Sequence, residues 1–187
     1  MVNYKKISFI ILLAAAALAF LVFGQKVSLP TNAGAGDNVF GFTWSENIGW
    51  ISFNNLAGDG QPAGGGGTDY GVRIDENSGD FSGYAWSENI GWISFNRSDT
   101  GNPPSDDPGA GSGAIAKVNL SNGQISGWMR ALSQGGGWDG WIRLNPPAFG
   151  GVFVNMLNGD FSGWAWGSDV VGWVSFNSAD GGAGGGP

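Results

Sequence analysis

The chain has 187 residues, a formal net charge of −7, 36 glycines, 10 tryptophans and neither cysteine nor histidine. The lack of Cys and His excludes disulfides, thiolate or imidazole metal sites, thiol nucleophiles and Ser-His-Asp catalysis. An acidic chain with only 8 Lys and Arg residues is also a poor binder of phosphate backbones, so no nucleic-acid partner is predicted.

Residues 1–24 have the pattern of an export segment. Lys5 and Lys6 precede an apolar run, residues 7–23, that only Ser8 interrupts. A positively charged start, an apolar stretch and a small residue before the cut are typical of a secretory signal peptide. The run is long for a signal peptide, so an uncleaved N-terminal anchor helix stays open. Either form predicts an extracellular or cell-surface protein, which contacts a membrane only through this segment if it is retained.

Residues 25–38 are predicted to be a flexible segment or a donor strand. Val27-Ser28-Leu29 is the only candidate strand in it. The repeat that follows lacks a first strand of its own. Its sheet edge is therefore closed by residues 27–29 or left free to pair with a strand of another molecule.

Residues 39–178 consist of a repeated sequence unit. The phrase Trp-Ser-Glu-Asn-Ile-Gly-Trp-Ile-Ser-Phe-Asn at 44–54 recurs unchanged at 86–96. A looser copy ends at Asn177, and the most divergent copy ends at Asn145. This self-similarity predicts four tandem units, and their approximate bounds are 39–54, 69–97, 114–145 and 150–177.

Each full repeat predicts a three-stranded antiparallel meander. In the second repeat the first strand alternates over 71–75, Gly79 supplies the positive φ of a turn, and the second strand follows. In the third strand Ile93 and Phe95 face one side and Trp92 the other. No amphipathic helical period follows Gly24, so the fold class is all-β. A lone meander is marginal, which requires neighbouring repeats to pack on one another as a sandwich, a barrel or a small propeller-like array.

The pattern Gly-Tyr-Ala-Trp-Ser-Glu-Asn-Ile-Gly-Trp-Ile-Ser-Phe at 83–95 resembles a repeat of predicted exported proteins of environmental bacteria, including small-genome candidate phyla. The resemblance covers most of residues 39–177 and implies a secreted or surface-attached β-repeat protein. The third repeat departs furthest, because Arg130 replaces a Trp and residues 133–139 enlarge its turn. The tail, residues 179–187, is almost pure Gly and predicted to be disordered.

Two roles are open for the tryptophans. Repetition at equivalent sites favours packing in the repeat core. Exposed rings would instead bind sugars. The core role is assigned to Trp44, Trp50, Trp86, Trp92, Trp141, Trp166 and Trp173, and the binding role to Trp138, Trp128 and Trp164. Trp138 has no counterpart in the other repeats and is therefore the aromatic expected to be exposed.

Oxygen-bearing side chains surround the first turn of the second repeat. Asp75, Asn77 and Asp80 could hold calcium, but the same residue types are ordinary in hairpin turns. No other cofactor and no other metal site is predicted.

The sequence therefore predicts a non-enzymatic structural or adhesive protein of the cell surface. The sharper version is a filament or surface-matrix subunit that self-associates by strand addition through Val27, Ser28 and Leu29. The alternatives are a carbohydrate-binding module with a glycan partner and a pilus-like subunit whose apolar N-terminal helix forms the core.

Overall fold

The computed structural model describes residues 36–54, 70–104, 115–148 and 150–176. The predicted export segment, the candidate strand at 27–29 and the Gly-rich tail lie outside these residues. Within them the fold is all-β, as predicted, with two helical turns, α1 (Arg97–Thr100) and α2 (Ser168–Val171). The strands are β1 (Phe42–Ser45), β2 (Gly49–Ser52), β3 (Val72–Ile74), β4 (Phe81–Ser87), β5 (Gly91–Ser94), β6 (Lys117–Val118), β7 (Ile125–Ser126), β8 (Trp128–Ala131), β9 (Trp141–Arg143), β10 (Val152–Val154), β11 (Phe161–Trp166) and β12 (Trp173–Ser175).

Eight of these strands close into an antiparallel barrel. Around the ring the order is β1, β2, β4, β5, β8, β9, β11 and β12, and β12 pairs back to β1. Each repeat contributes one hairpin, and each hairpin pairs with the next through its second member. Of the architectures left open by the sequence, the structure shows the barrel. The short link after Asn145 matches the direct pairing of β9 with β11.

A second layer of hairpins covers one end of the barrel. The first half of β4 pairs with β3, and its second half belongs to the barrel. The pair β6–β7 and the pair of β10 with the start of β11 repeat this arrangement. Single bridges such as Asp80 to Lys117 and Gln124 to Phe153 join each hairpin to the next. The layer therefore follows the same circular order as the barrel.

The barrel interior is small and aliphatic. The second strand of three repeats contributes a small inward residue, Thr43, Ala85 or Ala165, opposite a larger one on the third strand. The larger partners are buried β-branched residues: Ile51, Ile93 and Val174. An eight-stranded barrel leaves room only for side chains of this combined size.

Phenylalanines fill the space between the barrel and the hairpin layer. Phe53 of the first repeat contacts Phe95 and Phe176, with ring centroids 6.0 and 5.7 Å apart. Phe81 stacks on Phe95 at 5.5 Å. Because these rings belong to three repeats, the core is shared and no repeat encloses its own, as the requirement for neighbour packing predicts.

The turns between second and third strands are tied to one another by side-chain hydrogen bonds. Asn89 Nδ2 donates to the Ile48 carbonyl at 3.0 Å, and Asn47 Nδ2 donates to the Asp169 carbonyl at 3.1 Å. Each bond joins the turn of one repeat to the turn of the repeat before it. The identity of the Ser-Glu-Asn-Ile-Gly phrases therefore reflects one repeated contact.

The variant Asn89→Ala should lower the free energy of unfolding by about 1 kcal/mol, because it leaves the half-buried Ile48 carbonyl without its donor. Glu88→Ala changes the exposed neighbouring residue and serves as the control, with an expected change near zero. Urea unfolding of both variants measures the difference. Equal stability of the two variants would show that the turn-to-turn bond contributes nothing.

Candidate binding surfaces

The paired tryptophans form aromatic ladders on the outside of the barrel. Trp44 packs against Trp50 with ring centroids 4.8 Å apart, and Trp86 packs against Trp92 at 4.7 Å. In the fourth repeat the ring centroids of the equivalent pair, Trp166 and Trp173, lie 4.9 Å apart. Phe42 and Tyr84 extend two of the ladders at 6.1 and 6.2 Å.

The third repeat builds the same ladder with a cation. The Arg130 guanidinium lies over the Trp141 ring, 4.7 Å from its centroid, in the position that a tryptophan takes elsewhere. Trp128 lies 6.2 Å from Trp141 on the other side. Arg130 also donates to the carbonyls of Asp139 and Asp99. The divergent residue thus keeps the stacking of the pair by a cation–π contact.

The structure corrects the assignment of the tryptophans to the repeat core. Trp50 is 48% exposed, and its partners in the ladders are partly exposed, outside the main core. Only Trp141 is buried, together with Trp128, in a small cluster apart from the main core. The residues placed outside the core are Trp44, Trp50, Trp86, Trp92, Trp166 and Trp173. The prediction that Trp92 faces one side of its strand while Ile93 and Phe95 face the other is confirmed. The side that faces the interior is that of Ile93 and Phe95.

The predicted binding tryptophans do not form one surface. Trp138 is half-buried and packs against the main core, so the expectation of an exposed ring is wrong. Trp128 is 7% exposed, which leaves no ring face for a sugar. Trp164 is partly exposed on β11. Trp50, which was assigned to the core, is the most exposed tryptophan of the described residues.

The oxygen-bearing side chains at the first turn of the second repeat make hydrogen bonds and an ion pair within the protein. Asp75 Oδ1 accepts the backbone N–H groups of Asn77 and Ser78 at 3.0 and 2.8 Å. The Asp80 carboxylate pairs with the Lys117 ammonium at 3.0 Å. No group of three or more His, Cys, Asp or Glu residues that could hold a metal occurs in the described part of the chain. Both carboxylates of the predicted calcium site, Asp75 and Asp80, thus already have protein partners.

The hydrogen bonds from the Ser78 and Asn77 N–H groups to the Asp75 carboxylate hold the pKa of Asp75 below its usual value. A lowered folded-state pKa stabilises the protein above the unfolded pKa, and this contribution is lost as the pH falls through the folded value. In Asp75→Asn, which copies Asn119 and Asn155 of the other turns, the stability difference from wild type should therefore shrink as acid is added. Urea unfolding from neutral pH to below the usual Asp pKa tests this, and a constant difference would contradict it.

Among the residues that the structure describes, repeated hydrogen bonds close the hairpin layer except at one position. Between the second and third repeats, Phe81 N–H donates to the Ala116 carbonyl at 2.9 Å, and the Gly79 carbonyl accepts from Val118 N–H at 2.8 Å. The Gly123 carbonyl accepts from Val154 N–H in the same way at 2.9 Å. These bonds attach the first strand of each repeat to the hairpin of the repeat before it.

Between the fourth and first repeats, no strand of the described residues makes these bonds. The groups equivalent to those above are Phe161 N–H and the Gly159 carbonyl on one flank. On the other flank Phe42 N–H corresponds to Tyr84 N–H, which donates to the Gly71 carbonyl at 2.9 Å. The Phe176 carbonyl corresponds to that of Phe53, which accepts from Val72 N–H at 3.0 Å. We call this place the open strand position.

A cavity of about 260 Å³ marks the open strand position. Its lining comes from residues 38–43 on one side and residues 158–161 on the other, with Phe53, Ile74 and Phe176 beneath. The lining is mainly apolar, like the surface that the first strands of the other repeats cover. The site therefore has the shape and the chemistry of a missing β-strand.

A bulge at Asn38 and Val39 joins the first repeat to β3 of the second repeat. Both N–H groups donate to the Val72 carbonyl, at 3.2 and 3.1 Å. The buried Asn38 side chain accepts from Ile74 N–H at 2.7 Å and donates to the Ile74 carbonyl at 2.9 Å. The Asn38 side chain thus substitutes for backbone pairing along β3. The first repeat is therefore hydrogen-bonded to the second repeat on this side, and the open strand position lies on its other side.

The open strand position was predicted in part. The sequence indicates a missing first strand, but it does not reveal Asn38, Gly159 and Phe176 as its borders. Alignment of the repeats identifies two of these residues, because Gly159 matches Gly79 and Phe176 matches Phe53.

Comparison with protein-family models, with curated proteins and with solved structures finds no match to this chain. Within the described ranges no helix is long and apolar enough to cross a membrane. The class that the structure defines is an all-β protein built on an eight-stranded antiparallel barrel with additional strands.

Proposed function

We propose that the protein is a non-enzymatic structural subunit of the cell surface or extracellular matrix that self-associates by strand addition. The observation that carries this proposal is the open strand position between the fourth and first repeats. Among the described residues, the Gly159 carbonyl and Phe161 N–H have no partner, whereas the equivalent Gly79 and Gly123 carbonyls and Phe81 N–H are hydrogen-bonded. An unpaired edge of this kind is a template for a strand from another chain.

The circular order of the repeats supports assembly rather than a loose edge. Every other junction of the hairpin layer is closed by a first strand whose own apolar side chains, such as Val72 and Val118, are buried. Filling the open strand position would cover Phe40 and Phe161, which line it and are partly exposed. Hydrogen bonding and apolar burial thus favour the same event.

The export segment supports placement outside the cell. A barrel with a shared core and inter-repeat turn bonds needs no disulfides for its stability, which suits an exported chain without cysteine.

Electron microscopy and sedimentation velocity of the chain from residue 25 onward test the proposal. We expect filaments or large oligomers, and loss of them when residues 25–35 are deleted. The deletion should leave urea unfolding of the barrel nearly unchanged, which separates assembly from folding. A monomer in every condition would overturn the proposed function.

A second candidate, carbohydrate binding, is favoured by the exposed ring of Trp50. An exposed tryptophan beside Phe42 and Trp44 offers an apolar face of the kind that stacks on sugars. On a glycan array, Trp50→Ala should abolish binding, whereas Trp138→Ala should keep it if the fold is retained. No glycan signal from the intact chain would remove this candidate.

A further inference from the structure

We infer that the strand completing the ring is residues 26–29 of a second copy of this chain. This inference rests on the proposed self-association and names its donor segment and register. The three first strands seen in the structure define what the donor must carry.

The inward positions of a first strand are apolar and fully covered. They are occupied by Val72 and Ile74 in the second repeat, each with 0–1% exposure, and by buried aliphatic residues in the others. The residue between them, Arg73, points outward and is exposed. The other inward residues are Ala116, Val118, Val152 and Val154.

Val27-Ser28-Leu29 matches this pattern. Val27 takes the place of Val72, Leu29 that of Ile74, and the polar Ser28 that of Arg73. The C-terminal residues 178–187 contain no Val, Ile, Leu or aromatic residue, so they cannot supply the inward side chains. The donor therefore comes from the N-terminal side of the barrel.

Pro30 argues against closure by the same molecule. In this register it takes the place of Asp75, whose N–H donates to the Asp80 carbonyl at 2.9 Å and closes the hairpin. Asn119 and Asn155 make the same bond at 2.8 Å, to Gln124 and Asp160. Proline has no N–H to donate, so this chain's own segment cannot form the hairpin that all three described turns share.

The spacing argues in the same direction. Seven positions separate Ile74 from Phe81, and the same spacing holds for Val118 to Ile125 and for Val154 to Phe161. Leu29 instead stands ten positions before Val39. A strand donated by a second copy needs neither the closing bond nor the short turn. In that case residues 30–37 connect the donor strand to its own barrel.

Cysteine cross-linking tests the register and the origin of the strand together. Asp80 lies opposite Lys117 across the closed junction, so Asp160 should lie opposite Ser28 across the filled one. Directly opposed residues of antiparallel strands are close enough for a disulfide. The chain has no cysteine of its own, so each introduced thiol is unique.

We expect the double variant Ser28→Cys with Asp160→Cys to give a ladder of covalent oligomers on non-reducing gels after mild oxidation. Mixing the two single variants should give disulfide-linked dimers. The control, Ser28→Cys with Asp80→Cys, should not cross-link, because Lys117 already occupies the place opposite Asp80.

A cross-linked monomer from the double variant, with no dimer from the mixture, would overturn the inference in favour of the chain's own strand. Oligomers that sediment normally but do not cross-link more than the control would also overturn it, while leaving the proposed assembly intact. A chain that sediments as a monomer before oxidation would instead overturn the proposed function itself.

Discussion

Gly163→Ala should destabilise the barrel severely, whereas Gly41→Ala should have a modest effect on the isolated chain. Both glycines have left-handed φ angles, +90° and +85°, so each variant carries a backbone strain of about 1 kcal/mol. A Cβ at Gly163 would also overlap the carbonyl oxygen of Gly151. A Cβ at Gly41 would meet no atom of the described residues within 4 Å.

The overlap at Gly163 involves backbone that is fixed in a strand pair, so we expect a further loss of about 3 kcal/mol for that variant. Gly83→Ala should behave like Gly163→Ala, since its Cβ would overlap the Gly71 carbonyl. Urea unfolding of dilute protein provides the comparison. Equal losses for Gly41→Ala and Gly163→Ala would mean that a strand already fills the open strand position in the monomer.

Phe53→Ala should lower the free energy of unfolding by about 3–5 kcal/mol, because it opens a cavity where three repeats meet. Phe53→Leu is the matched control, since the third repeat has Leu144 at the equivalent place. We expect a loss of about 1 kcal/mol for the Leu variant. Thermal unfolding monitored by tryptophan fluorescence measures both, and a small effect of Phe53→Ala would show that the repeats do not share a core.

The repeat units and the alternation of their strands could be predicted from the sequence, because both depend on local spacing. The eleven-residue phrase marks the barrel hairpin, and Gly79 marks the turn. The side that faces inward could not be predicted from the same spacing. Both sides carry large apolar groups, Trp92 on one and Ile93 with Phe95 on the other.

Closure of the ring decides between the two sides. Inside eight strands the small Ala85 must face the larger Ile93, and no space is left for indole rings. The tryptophans consequently stack in pairs outside. Because closure depends on pairing between the first and fourth repeats, β1 with β12, no local pattern reveals it.

The placement of Trp138 illustrates a second limit of local reasoning. An insertion without counterparts in the other repeats suggested an exposed side chain. The loop instead folds back through the Gly135–Trp138 bridge, and the ring packs against the core. Burial of an indole in this way recovers apolar contact area that an exposed ring would lose.

Amide hydrogen exchange, resolved residue by residue, tests most directly whether the ring has one open strand position that another molecule fills. In the monomer, the Phe161 and Phe42 amides should exchange rapidly, while their counterparts Phe81 and Tyr84, which are hydrogen-bonded, should be protected. In the assembled protein all four amides should be protected. Protection of Phe161 and Phe42 in the monomer, or their rapid exchange in the assembly, would contradict the account.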